Sequence, residues 1–236
     1  MARFPRIILS DQPHHVIQRG NNRQAIFLEN QDYEFYLAKL KICADENNCR
    51  IHAYIQMTNH VHLLVSPTCV ESLSKTMKML GCYYVRYFND KYQRTGTLLE
   101  GRYKASLIDS EQYLFICMRY IELNPVRAGI VEHPSQYRWS SYHHNALGKT
   151  DALIQVHEKY HTLGNNMQVC QKHYSELFRH SLQQEVLSEL RATANKCRVF
   201  GSCQFKRIVS SRLARAIEAG SHGGDRKSKI YQATIK

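Results

Sequence analysis

Residues 50–67 read RIHAYIQMTNHVHLLVSP. Over 50–57 the side chains alternate, with Ile51, Ala53 and Ile55 on one side and His52, Tyr54 and Gln56 on the other. A period of two is the signature of a strand. Residues 60–67 read as a second strand, and Thr58-Asn59 leaves room only for a tight hairpin between them. This hairpin decides the fold, because it makes the sheet antiparallel in the middle of a chain that otherwise alternates strands and helices. It also places His60 and His62 on one face, roughly 7 Å apart along the strand, while Val61 points the opposite way.

Working outward, HHVIQRG (14–20) reads as a first strand and GNNR (20–23) as a turn. Residues 30–48 carry Tyr33, Tyr36, Leu37, Leu40, Cys43 and Ala44 at helical spacing. Residues 70–92 form a second amphipathic helix, and 96–108 a strand bent at Gly101. A helix over 110–124 follows, with Ser110 as its N-cap and Pro125 to end it. The order β-α-β-β-α-β-α predicts an α+β fold, a ferredoxin-like antiparallel sheet with helices. Beyond residue 150 the spacing predicts helices over 151–161, 168–196 and 202–220, a helical C-terminal extension. Gly201-Ser202 breaks the last pair as in a helix-turn-helix. The expected organisation is one domain over 1–150, a helical and DNA-binding extension over 151–220, and a flexible basic tail over 221–236.

The chain has 236 residues, 43% of them hydrophobic, enough for a sizeable core. No run of 18 apolar residues occurs, so no membrane-spanning helix is expected. The first residues do not make a signal peptide, and a cytoplasmic protein is expected. None of the eight cysteines forms a C-x-x-C pair, which argues against a zinc ribbon. Net charge is +12, and the excess is uneven. The last 46 residues hold 11 Lys and Arg against 2 Asp and Glu. Such a concentration favours a polyanionic partner, nucleic acid above all.

Two imidazoles on one rigid face can chelate a divalent ion, or can be a simple hydrogen-bonded pair. The H-x-H pattern alone leaves both open. On the helix over 110–124, Tyr120 and Asn124 are four apart and share a face. Alone, they read equally well as a core aromatic and a helix terminator. Arg19 and Arg23 flank the first turn, Arg102 and Lys104 share a strand face, and Arg127 follows the helix. A competing motif is HEKYH (157–161), a literal H-E-x-x-H. On a helix it would set His157 and His161 as zinc ligands with Glu158 as base, a peptidase reading, with Glu176 or Glu185 as third ligand.

Taken together, TNHVHLLV (58–65) and YIELNPVRAG (120–129) resemble the single-tyrosine HUH transposases, in particular the REP-associated tyrosine transposases. HHVIQRGNNRQAIF (14–27) and GRYKASLIDSEQYL (101–114) extend the resemblance over about residues 10–147. It implies the HUH nuclease fold and a metal-dependent endonuclease that cleaves and rejoins hairpin-associated single-stranded DNA through a 5′-phosphotyrosine. Tyr120 would be the nucleophile. His60, His62 and Asn124 would hold the metal, Mg²⁺ or Mn²⁺. Arg19, Arg23, Arg102, Lys104 and Arg127 would contact DNA. The partner implied is a hairpin, as in a repetitive palindromic element, in the bacterial nucleoid. A monomer is expected, with a dimer as the alternative. A non-catalytic DNA-binding regulator on the same fold is a further alternative.

Overall fold

A computed structural model describes residues 6–213. The first strand, β1 (His14–Arg19), leads into α1 (Asn30–Glu46). The hairpin β2 (Cys49–Met57) and β3 (His60–Pro67) follows, then α2 (Ser72–Lys91) and β4 (Lys104–Ile108). The sheet order is β2-β3-β1-β4, with every one of these neighbours antiparallel. That is the ferredoxin-like arrangement the hairpin predicted. Helices α3 (Leu114–Glu122), α4 (Asn124–Arg127), α5 (Tyr142–Asn145), α6 (Met167–Glu176) and α7 (Gln184–Lys196) come next. A fifth strand, β5 (Val199–Phe200), pairs parallel with β4, and α8 (Cys203–Leu213) closes the described chain.

Strand alternation sorts the core into two layers. Val16, Val61, Leu63, Val65 and Ala105 bury one sheet face against α1 and α2, through Tyr36, Leu40, Leu80 and Tyr84. Ala53, Ile55, Leu64 and Ile108 bury the other, against Leu114, Cys117 and Ile121 of α3 and Leu187 and Leu190 of α7. The start of α1 is tied to α2 by the fully buried Asp32. Its carboxylate accepts from the Leu28 and Glu29 amides and from the Tyr87 and Tyr92 hydroxyls, at 2.8–3.1 Å.

Several boundaries differ from the sequence reading. Residues 96–103 are loop, and only 104–108 pair as strand. Residues 151–161 are not an α-helix, because β2 lies at the sheet edge and its free backbone groups recruit them. Ile51 bridges Ile154, and Gln155 N–H donates to Ile51 O at 2.8 Å. A 3-10 helix over Glu158–Leu163 follows. The segment 168–196 is two helices, α6 and α7, separated at 180–183. Between α7 and α8, where a tight turn was expected, Cys197 takes a left-handed conformation (φ 53°) and the chain enters β5. Contacts divide the chain into two units, Met1–Gly201 and Ser202–Lys236, so position 150 falls inside the first. Residues 151–201 lie there because α6 and α7 cover the second sheet face and β5 joins the sheet beside β4. The basic tail over 221–236 lies outside the described residues.

Candidate active site

The two-residue turn Thr58-Asn59 is clamped by the loop after β1. Ile26 and Phe27 amides donate to Thr58 O at 2.9 and 3.1 Å, and the Gly20 amide donates to Asn59 O at 2.8 Å. Within this turn, the Asn59 side chain donates from Nδ2 to Arg23 O at 3.0 Å. Its Oδ1 therefore faces His60, whose Nδ1 lies 2.6 Å away. His62 Nδ1 lies 2.8 Å from His15 Nε2 on β1. Register explains that meeting: Ile17 pairs with His62 and Arg19 with His60, so His15, Ile17, Arg19, His60 and His62 share one face. The His60 and His62 rings are 5.0 Å apart, edge to face.

Burial, helped by the Arg19 charge, lowers His60 to about 4. His15 falls to about 3, through burial and then Arg127. His62 is pushed well below the ordinary imidazole value by burial, with His15, His60 and Arg127 adding to it. All three are neutral at pH 7. A neutral imidazole keeps the lone pair that a metal needs. Among the described residues neither Nε2 of the pair has a hydrogen-bond partner, whereas both Nδ1 atoms do.

Helix α3 carries Tyr120 onto this face. Its ring, 6% exposed, meets the His15 and His62 rings edge-on at 5.7 and 6.0 Å. Pro125 cannot supply an amide to continue α3. The helix breaks at Leu123 and restarts as α4, beginning at Asn124. Asn124 therefore stands just past the break, and Arg127 folds back toward α3. The Arg127 guanidinium carbon sits 4.2 Å from the Tyr120 ring centre, and Nη2 donates to Tyr120 O at 2.7 Å. Its Nη1 is buried with no partner, and so is the Asn124 Nδ2. Burial lowers Arg127 to about 10, while Tyr120 favours its charged form and Arg191 opposes it.

The histidine pair opens on a cleft of about 710 Å³. Arg6, Arg19, Arg23, Arg102, Lys104 and Lys196 line it. Three of these cations are already engaged, the first being Arg6, whose Nε and Nη2 donate to Tyr103 O at 3.1 and 2.7 Å. Arg19 is paired with Glu100, its Nε at 2.7 Å, and Lys104 donates to Asn195 Oδ1 at 3.0 Å. Tyr120, Asn124 and Arg127 are not among the lining residues. No hydrogen bond joins Asn124 to either histidine among the described residues. No group of three or more His, Cys, Asp or Glu able to hold a metal occurs there either. Two imidazole Nε2 atoms suit one divalent ion with open positions, and Asn124 would join them through Oδ1, since its unpartnered Nδ2 is a donor with no lone pair to offer.

The HEKYH motif does not form a zinc site. His157 is the extended N-cap of a 3-10 turn and accepts from Lys159 N–H at 3.2 Å. Its ring packs edge-on against the buried His52 at 5.0 Å. In 3-10 geometry positions i and i+4 do not share a face.

His15, Arg6 and Asn59 were missed by the sequence reading. Pairing β1 against β3 would have found His15, two residues before Ile17 on the histidine face. Arg6, whose guanidinium stacks 3.8 Å from the Tyr103 ring, gave no signal.

The fold is similar to that of a REP-associated tyrosine transposase solved bound to a REP hairpin. The two are 16% identical, with a TM-score of 0.55 over 66% of this chain and 93% of that one. A Deinococcus radiodurans protein described as a candidate transposase is 20% identical over 51% of this chain and 96% of its own; its TM-score, 0.37, carries no argument. No curated protein matches. Fold and topology thus define an α+β protein with a ferredoxin-like sheet. Residues 9–124, just under half of the chain, match the family described as IS200-like transposases. Its function is that of a DNA transposase. No helix among the described residues is long and apolar enough to cross a membrane.

Proposed function

We propose that this transposase cuts and rejoins single-stranded DNA, with Tyr120 as nucleophile and His60, His62 and Asn124 holding Mg²⁺ or Mn²⁺. The observation that carries the reading is the edge-on packing of Tyr120 against His62, with Arg127 over the same ring. Attack by the phenolic oxygen on phosphorus forms a 5′-phosphotyrosine and releases a 3′-OH. The bond energy is kept for rejoining when a 3′-OH attacks back. A phenol is a weak nucleophile until it loses its proton, so help must come from the phosphate side. The bound ion would polarise a non-bridging oxygen and orient the phosphate for in-line attack. Arg127 brings a desolvated cation with an unpartnered Nη1 beside the tyrosine, suited to the charge that builds up on phosphate.

The strand would run through the basic cleft, with Arg23, Arg102 and Lys104 on phosphates. Arg19, held by Glu100, would act chiefly by shaping the wall. The hairpin carried by the structural relative supports a hairpin substrate here. The basic segment 191–236 would add phosphate contacts. The catalytic helix is held by its own chain, which supports action as a monomer. Glu122 accepts from Ser141 Oγ, Asn145 Nδ2 and Tyr174 OH at 2.6, 2.9 and 2.7 Å.

A labelled single-stranded hairpin with Mn²⁺ tests the reading. A detergent-resistant adduct should form, and should be lost in His60→Ala and Tyr120→Phe but kept in Glu158→Gln. DNA binding without any adduct would favour a regulator instead.

A further inference from the structure

We propose that His15 is a positioning residue: it accepts the Nδ1–H of His62 and so presents the His62 Nε2 lone pair to the ion. The proposal rests on the reading that His62 is a ligand. His15 is itself too deep to ligate alongside the pair, being 1% exposed, with its Nε2 turned to His62. The two rings stack at 5.0 Å with planes 14° apart, so β1 and β3 fix both the plane and the height of the His62 ring.

The hydrogen bond between two imidazoles contains one proton, and its side decides function. If His15 Nε2–H donates, His62 carries hydrogen on Nε2 and cannot coordinate there. If His62 Nδ1–H donates, Nε2 is a bare lone pair aimed outward. His60 is already set in the second way. Asn59 is oriented by its bond to Arg23 O, so its oxygen faces His60 Nδ1 and requires a hydrogen there. Only the same tautomer at His62 gives two matched Nε2 donors on one face. Outer partners of this kind orient a ligand imidazole and raise its basicity, and their loss typically costs about 10–100-fold in metal affinity. With Nε2 accepting, neutral His15 carries its own hydrogen on Nδ1, which is buried without a partner and is the cost of this arrangement.

The test needs no DNA cleavage. Mn²⁺ affinity is read by electron paramagnetic resonance titration of wild type, His62→Ala, His15→Phe and His15→Gln. The His62 tautomer is read from side-chain ¹⁵N shifts in the metal-free wild type. Expected are hydrogen on Nδ1 of His62, a tenfold or greater loss of affinity in His15→Phe, and recovery of most of it in His15→Gln, whose Oε1 can accept the same hydrogen. A wild-type His62 carrying hydrogen on Nε2 overturns the proposal even if the Phe variant does not fold. So does unchanged affinity in His15→Phe when His62→Ala has lost it. Mn²⁺ binding that is absent in wild type, or indifferent to His62→Ala, instead sinks the underlying metal reading.

Discussion

At the level of single residues, Gly20 is where the first strand must turn close to its neighbours. A Cβ there would stand 2.2 Å from Gln24 O and 2.8 Å from Ile26 Cγ2. The backbone of Gln24 cannot give way cheaply, and the same loop clamps the turn that delivers His60. Gly20→Ala should therefore cost about 2 kcal/mol in urea denaturation, the scale of overpacking a tight site. An unchanged midpoint would mean the loop yields freely. Arg127 makes a different prediction. If its guanidinium meets the phosphate, Arg127→Ala should slow adduct formation by about 10²–10³-fold, the scale of losing one oxyanion donor. Arg127→Lys should not restore it, because an ammonium lacks the planar fork. A variant that weakens only DNA affinity, at unchanged rate under saturation, would reduce Arg127 to a binding contact.

At the level of elements, α3 is held in place by a buried acid. Glu122 is fully buried, and burial raises it to about 7, against the pull of Ser141, Tyr174 and Asn145. Its folded pKa lies above the unfolded value of 4.5. The stabilisation from this group is complete below 4.5 and is lost as pH rises through about 7. Glu122→Gln cannot titrate, so its stability relative to wild type should improve steadily from pH 5 to pH 8. A constant difference over that range would show that Glu122 titrates normally. The same helix shows what a sequence can and cannot convey. The 3.6-residue stripes of α1 and α2 were legible because each helix buries one face, whereas β2 and β3 are buried on both faces and a bulge between Ile51 and Ala53 puts Ile51 with Tyr54, opposite Ala53 and Ile55. The strand β5 was not legible, because two residues have no period, and only the exposed edge of β4 calls them into the sheet. The edge of β2 likewise overrode the helical spacing of 151–161.

For the whole molecule, the histidine content has a consequence for stability. His14 and His60 are lowered to about 4, and His15 and His52 to about 3, in each case mainly by burial. A depressed imidazole favours the fold above its unfolded pKa of 6.5. That contribution is lost as pH falls toward 4, because the unfolded chain takes up protons that the fold refuses. Four such groups should outweigh the opposite trend of Glu122, and denaturant midpoints should fall steadily from pH 6.5 to pH 4.5. A flat profile would contradict the burial of these rings. The candidate site was legible in its residues but not in its arrangement, and among the described residues no hydrogen bond joins Asn124 to either histidine. Two motifs about 60 residues apart supplied Tyr120, His60, His62 and Asn124, and the fold sets Tyr120 against His62. What the motifs could not convey was pairing register, and so His15 and the hydrogen-bonded backing of His60 and His62 stayed hidden. The structure also separates cations that looked alike in sequence, since Arg19 is neutralised by Glu100 while Arg127 has no carboxylate partner among the described residues.

The most direct measurement locates the covalent bond itself. After reaction with a single-stranded hairpin and Mn²⁺, nuclease and trypsin digestion leave a nucleotide tag on one peptide. Cleavage after Lys104, Arg119 and Arg127 puts Tyr113 in 105–119 and Tyr120 in 120–127. Mass spectrometry should find the tag on 120–127, at Tyr120. A tag on 105–119, or an adduct that persists in Tyr120→Phe, would contradict the account.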